Sequence, residues 1–299
     1  MSIVIPSRTS VRQYAQVLRH FAVTRGVEVC VLQASPLLGA YLGGLGLGLE
    51  GDSVSRLGFL LLGSTALTGH VFVFNDWAGY SSDARDLRRP SLRADGYSIS
   101  RDQIARVAIA LLILANVAFA AVGTSAMLFG AGIATLSLLY SFSPSLGKSM
   151  PVAASVNHLI GGGLHFLLGY TMLRAVDARG LALSLFFGLV FAAGHLNQEV
   201  RDYEFDLASG IGTSAVAFGC RRGFLASFCL FTAAYLLIVG LAALGAVPKI
   251  LLLAAIAWLM QAGWSLQALR RGLGFETAMW MQRRYRLLFA LVGLAMLVR

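Results

Sequence analysis

Residues 107–122 read VAIALLILANVAFAAV, a run with no charged residue. An α-helix rises about 1.5 Å per residue, so about 20 apolar residues cross the hydrocarbon core of a bilayer. Extended at both ends, this run covers 103–123. Eight more lie near 28–48, 57–77, 126–142, 152–173, 181–198, 223–245, 249–269 and 286–298. The reading is an all-α integral membrane protein: nine transmembrane helices in a single polytopic domain, 1–299.

Composition supports lipid as the solvent. Hydrophobic residues make up 57% of the 299 and charged residues 13%, whereas a soluble domain carries about 25% charged residues. Disorder, a disulfide scaffold and a coiled coil are excluded on the same grounds. Cys30, Cys220 and Cys229 have neither metal-ligand nor redox spacing and read as small apolar helix residues. The glycine clusters at 43–46 and 161–163 read as points of close helix packing.

The net charge of +10 marks cytoplasmic loops rather than nucleic-acid binding, and no nucleic-acid partner is expected. With the N-terminus inside, about 19 of the 24 Lys+Arg fall on the inner side, leaving Arg56, Arg174, Arg179, Lys249 and Arg299 outside. The N-terminus and the loops after even-numbered spans are therefore expected in the cytoplasm. The opening residues 1–26 lack the short apolar segment and cleavage site of a signal peptide and are read as retained.

The acids are clustered. Of 14, four fall between Asp76 and Asp95 and four between Glu199 and Asp206, in two loops at the inner ends of the second and sixth spans. The stretches Asn75-Asp76-Trp77-Ala78-Gly79-Tyr80-Ser81-Ser82-Asp83 and Gln198-Glu199-Val200-Arg201-Asp202-Tyr203-Glu204-Phe205-Asp206 match in register. Four helices separate them, which suggests an internal four-helix repeat over about 28–142 and 152–269. Residues i, i+4 and i+8 share a helix face, so Gln198, Asp202 and Asp206 project together, as do Asn75 and Asp83. Carboxylate and amide oxygens without His or Cys suit Mg²⁺, which shares its shell with water and phosphate oxygens. Two facing rows would hold a Mg²⁺–diphosphate, and Arg201 and its neighbours in the same loops would take up the remaining phosphate charge.

At these residues the sequence resembles the UbiA superfamily of intramembrane prenyltransferases. The first cluster, continuing to Arg89-Pro90, is similar to that family's N-D-x-x-D-x-x-x-D motif and its following Arg-Pro. The second, with Gly210 and Thr213 after it, is similar to D-x-x-x-D followed by G-x-x-T. Tyr140-Ser141-Phe142-Ser143-Pro144 with Lys148 matches the segment after the fourth helix. The resemblance implies nine helices around a lipid-facing central cavity, in which membrane lipid is a partner and a prenyl diphosphate is held by Mg²⁺ at the cytoplasmic end. By position, Asn75, Asp83, Asp202 and Asp206 are the implied catalytic magnesium or diphosphate ligands, and Arg89 and Lys148 face the diphosphate. Gly79 departs from the pattern, standing where the family carries Asp.

The implied reaction is Mg²⁺-dependent transfer of a prenyl group from a prenyl diphosphate to a hydrophobic or aromatic acceptor. Tyr140, Gln198 and Arg201 join the expected substrate-binding set. His195 and Asn197, approaching the second motif from the helix side, are expected to shape the acceptor pocket or to act as a base. His158 and His165, two turns apart on the fifth span, read first as interhelical hydrogen-bonding groups. Two other functions fit the sequence: a terpene cyclase on the same scaffold, and a membrane transporter, since repeats and intramembrane charges occur there too.

Overall fold

The computed structural model describes residues 8–45, 51–80, 99–143 and 147–298, with side chains from Tyr14 onward. Among them there are helices and no strands. They run α1 Arg8–Leu32, α2 Ala34–Gly43, α3 Gly51–Ala78, α4 Arg101–Val122, α5 Thr124–Phe142, α6 Ala153–Tyr170 and α7 Ala178–Ala208. A short α8 Ser214–Phe218 follows, then α9 Cys220–Ala243, a 3₁₀ turn at Lys249–Leu253, α10 Ala254–Arg271 and α11 Phe275–Ala295.

Local chemistry explains the boundaries. Pro36 lacks an amide hydrogen and its ring crowds the carbonyl four residues back, so α1 stops at Leu32 and α2 restarts after Gln33. Ser100 and Gln103 close a reciprocal capping box at the start of α4. A single residue, Gly123 at φ 139°, separates α4 from α5, a backbone conformation that disfavours any side chain.

Among the described residues, seven stretches are long and apolar enough to cross a membrane: Tyr14–Gly43, Gly51–Ala78, Arg101–Val122, Thr124–Phe142, Ala178–Ala208, Cys220–Ala243 and Lys249–Arg271. The other two predicted spans are helical in α6 and α11 but more polar. Asn157, His158 and His165 interrupt α6, while Glu276, Arg283, Arg284 and Arg286 load the first half of α11. The first span begins earlier than the sequence indicated, because the arginine-bearing N-terminal segment is already helical and runs into it.

The sixth span differs more. Its helix has 31 residues, about 46 Å at 1.5 Å per residue, against a core of about 30 Å. The second acidic cluster therefore rides on the protruding last turns of α7, not on a loop. Two residues expected on the outer side cap neighbouring helix ends: Arg179 donates to Leu42 O and Ala246 O at 3.1 and 2.8 Å, and Arg56 to Val122 O at 3.0 Å.

Packing is closest where glycines remove side chains. A Cβ on Gly169 of α6 would collide with the Pro36 carbonyl of α2, and one on Gly188 of α7 with the Leu159 carbonyl of α6. A Cβ on Gly162 would come 2.6 Å from the Phe191 ring. These seams press α2, α6 and α7 together and bring the last turns of α7 to the cavity between α3, α5 and α6.

Candidate active site

A cavity of about 400 Å³ opens between α1, α3, α5, α6 and α7. At one end it is lined by Asn75, Tyr140, Lys148, Gln198, Arg201, Asp202 and Asp206; farther in, Leu67, Val71, Ile133, Leu136 and Phe191 form its walls. The charged side chains lie at one end, and the walls farther in are mostly apolar, with Thr68, Ser137 and His165 among them. The bonding that places the charged end is local. Lys148 N–H donates to Tyr140 O at 2.9 Å, tying the lysine to the end of α5, and Ile211 N–H donates to Asp206 O at 2.8 Å, turning the chain at the end of α7.

Asp202 accepts two hydrogen bonds from Arg201, Nε to Oδ1 at 2.9 Å and Nη2 to Oδ2 at 2.6 Å, and Arg201 Nη1 reaches Gln282 Oε1 on α11 at 3.2 Å. Asp206 is 9% exposed. Asn75 Oδ1 is buried and, among the described residues, has no hydrogen-bond partner. A buried amide oxygen left unsatisfied costs free energy, and here it lies on the cavity that also holds two carboxylates. These are hard oxygen donors, the kind that Mg²⁺ prefers. Among the described residues no three His, Cys, Asp or Glu side chains converge as a metal site, so a bound Mg²⁺ would draw on the Asn75 amide and on phosphate or water oxygens. Asp83 and Arg89 lie outside the described residues.

The predicted set is therefore largely brought together, with one exception. Asn197 is 2% exposed and directs Nδ2 toward Ala278 O on α11 at 3.4 Å. It does not line the cavity. Two residues to either side, on the opposite face of α7, His195 and Glu199 do line the cavity. His195 Nε2 lies 3.0 Å from Glu199 Oε1, off the hydrogen-bonding line, and Glu199 Oε2 accepts from Ala215 N–H at 3.2 Å. The His158 ring lies parallel to that of His195, with centroids 3.8 Å apart and planes 8° apart.

Two lining groups escaped the sequence reading. Arg25 was counted only among the Lys and Arg of the inner side. Its helix carries it into the cavity wall, 3.3 Å from Asp76 and over the Phe72 ring at 5.4 Å. Asp76 is thus held by Arg25 on a different helical face from Asn75. Glu199 was seen only as part of an acidic cluster, yet it is 4% exposed. The clue available in sequence was its position four residues after His195.

A family model for the UbiA prenyltransferases matches residues 37–295. The chain belongs to the UbiA prenyltransferase family. Membership carries the enzyme class expected from the motifs, a prenyltransferase, and with the apolar helices it makes the chain a multi-pass integral membrane protein. A UbiA homologue from Archaeoglobus fulgidus bound to GPP and Mg²⁺ is 20% identical with a TM-score of 0.70, over 95% of this chain and 99% of that one. A structure of digeranylgeranylglyceryl phosphate synthase is 16% identical with a TM-score of 0.71, over 97% and 98%. An apo UbiA homologue from Aeropyrum pernix K1 is 14% identical with a TM-score of 0.66, over 89% and 95%. At such identities the likeness is one of fold. No curated protein matches the chain in sequence.

Proposed function

We propose that the protein is a Mg²⁺-dependent intramembrane prenyltransferase with nine spans, its charged cavity end facing the cytoplasm. It moves a prenyl group from a prenyl diphosphate to a hydrophobic or aromatic acceptor. One observation carries the reading: a single cavity joins the Asn75, Asp202 and Asp206 oxygens and the Lys148 and Arg201 cations to an apolar interior. The homologue from Archaeoglobus fulgidus, described with GPP and Mg²⁺, supports the same pairing of ligand and ion here.

In this reading Asn75, Asp202 and Asp206, with Asp83, hold Mg²⁺, which supplies charge neutralisation of the diphosphate leaving group. Lys148, Arg201 and Arg89, together with Arg25, bind the remaining phosphate charge. Cations fixed in a low-dielectric site favour departure of an anion more than the same groups would in water. The prenyl chain lies along Leu67, Val71, Ile133 and Leu136. These walls keep water from the allylic carbon while the acceptor approaches. Gln198 and Tyr140 complete the wall beside the leaving group.

The test incubates purified protein with Mg²⁺, prenyl diphosphates of several chain lengths and a membrane lipid extract, and identifies products by mass. A prenylated lipid or aromatic product is expected, with one diphosphate released per product. A cyclic hydrocarbon formed from prenyl diphosphate alone would replace this reading by a cyclase. Transport without diphosphate release would replace it by a carrier.

A further inference from the structure

The cavity wall holds a pair of imidazoles that binding a diphosphate does not use. His158 of α6 and His195 of α7 stack 3.8 Å apart, and Tyr140 meets both edge-on, at 5.3 and 6.0 Å. Both histidines line the cavity. His195 precedes Asp202 by seven residues, about 10.5 Å along a helix, so the pair sits inward of the carboxylates and next to the apolar wall.

The hydrogen bonds define which nitrogen is available. His158 Nδ1 lies 2.8 Å from Ala154 O. A carbonyl only accepts, so Nδ1 carries the hydrogen and Nε2 of the neutral ring carries the lone pair. His195 instead turns Nε2 toward Glu199 Oε1, at 3.0 Å but off the hydrogen-bonding line, and Glu199 is anchored in turn by Ala215 N–H. Positive charge developing on His158 would lie against the face of the His195 ring, with the Glu199 carboxylate at the edge of that ring. An aromatic face attracts a cation, and a buried carboxylate adds to that attraction.

The geometry points to His158 as the proton acceptor of the transfer reaction, with His195 and Glu199 as positioning residues, and to an acceptor bearing a hydroxyl or phenol O–H. This rests on the prenyltransferase reading above. In the step, the acceptor oxygen forms a bond to C1 of the prenyl group with its own electron pair. The C1–O bond to the diphosphate breaks, and the diphosphate leaves with that pair. The acceptor's proton passes to His158 Nε2. His195, which the sequence singled out as a possible base, is the group behind the base.

Membranes from cells expressing the protein supply resident acceptors and are given Mg²⁺ with labelled geranyl, farnesyl or geranylgeranyl diphosphate. His158→Gln and His158→Phe should lower prenylated product about 100-fold or more, in the range lost with a general base. Their KM for the prenyl diphosphate should stay unchanged. Added imidazole should restore His158→Gly. Glu199→Gln should lower kcat about tenfold without moving that KM, an effect on the base's positioning. On the wild-type protein, diethyl pyrocarbonate should modify His158 before His165 and stop transfer, a readout that survives if the variants fail to fold. Histidine variants within twofold of wild type, or full activity after His158 is modified, would overturn the assignment while leaving the prenyltransferase reading in place. No product from the wild-type membranes would overturn both.

Discussion

Arg201 grips the carboxylate of its chain neighbour Asp202 through two hydrogen bonds, at 2.9 and 2.6 Å. The pair is not free to swing, because Gln282 of α11 holds the third guanidinium nitrogen at 3.2 Å. The arginine thus fixes the rotamer of a proposed metal ligand and presents charge to the same end of the cavity.

That arrangement separates two roles. Asp202→Ala removes an oxygen ligand and should abolish turnover. Arg201→Ala leaves the carboxylate in place but loose, and should raise the Mg²⁺ and prenyl diphosphate needed for half-maximal rate. Gln282→Ala should do the same more weakly. Steady-state kinetics of the three variants at varied Mg²⁺ check this; equal effects of Gln282→Ala and Asp202→Ala would contradict it.

Gly79 offers a second test. Its N–H donates to Asn75 O at 2.8 Å, directly after the last residue of α3, and its φ is not in the left-handed region. Gly79→Asp would place a carboxylate one turn from Asn75, so the Mg²⁺ concentration for half-maximal rate should fall. A variant with unchanged metal dependence and rate would place position 79 away from the metal.

How far the sequence disclosed this site depends on the residue. Asn75, Asp202 and Asp206 were legible because their spacing and chemistry are local to one helix each. Asn197, expected beside the acceptor, is directed toward α11 instead, because facing α6 or α11 is decided by how α7 is rotated in the bundle, which one helix's sequence does not specify. Arg25 was missed for a related reason: only packing of α1 beside α3 reveals it as a wall of the cavity. The reach of α7 past Gln198 was legible only in part: the i, i+4, i+8 spacing put Gln198, Asp202 and Asp206 on one helix face, while the apolar run alone stopped at Gln198.

At the opposite end of the protein, Asp177 caps α7. Its carboxyl is held below the usual carboxylate range by Gly180 N–H, then by the Tyr170 hydroxyl, with Arg174 contributing. A lowered folded-state value means that this contribution is complete above the ordinary carboxylate range and is lost as pH falls through the folded value. Asp177→Ala should cost about 1 kcal/mol at neutral pH. Asp177→Asn, which still accepts from the backbone, should remove the acid dependence. Thermal unfolding in detergent at several pH values measures both.

Helix seams give a stability prediction. Gly169→Ala drives a methyl into the Pro36 carbonyl, while a Cβ at Gly240 meets nothing within 4 Å. The first substitution should destabilise by roughly 1–3 kcal/mol, the range for overpacking, and the second should change little. Comparable melting of the two variants would mean that α2 and α6 are less closely packed than described.

Orientation is checked by accessibility. In a background lacking Cys30, Cys220 and Cys229, a cysteine replacing Leu244, 84% exposed at the end of α9 proposed to face outward, should react with an impermeant thiol reagent in intact cells. One replacing Ser209, at the end of α7, should react only after the membrane is opened. The reverse pattern would invert the topology.

The central claim is that one oxygen-lined cavity end binds Mg²⁺ and a prenyl diphosphate for transfer. The most direct measurement is diphosphate release and prenylated product from purified wild type and Asp206→Ala, with Mg²⁺ and with EDTA. The account predicts equal amounts of both products from wild type with Mg²⁺, none in EDTA, recovery when Mg²⁺ is restored, and none from folded Asp206→Ala. Undiminished transfer in EDTA, or by Asp206→Ala, would contradict it.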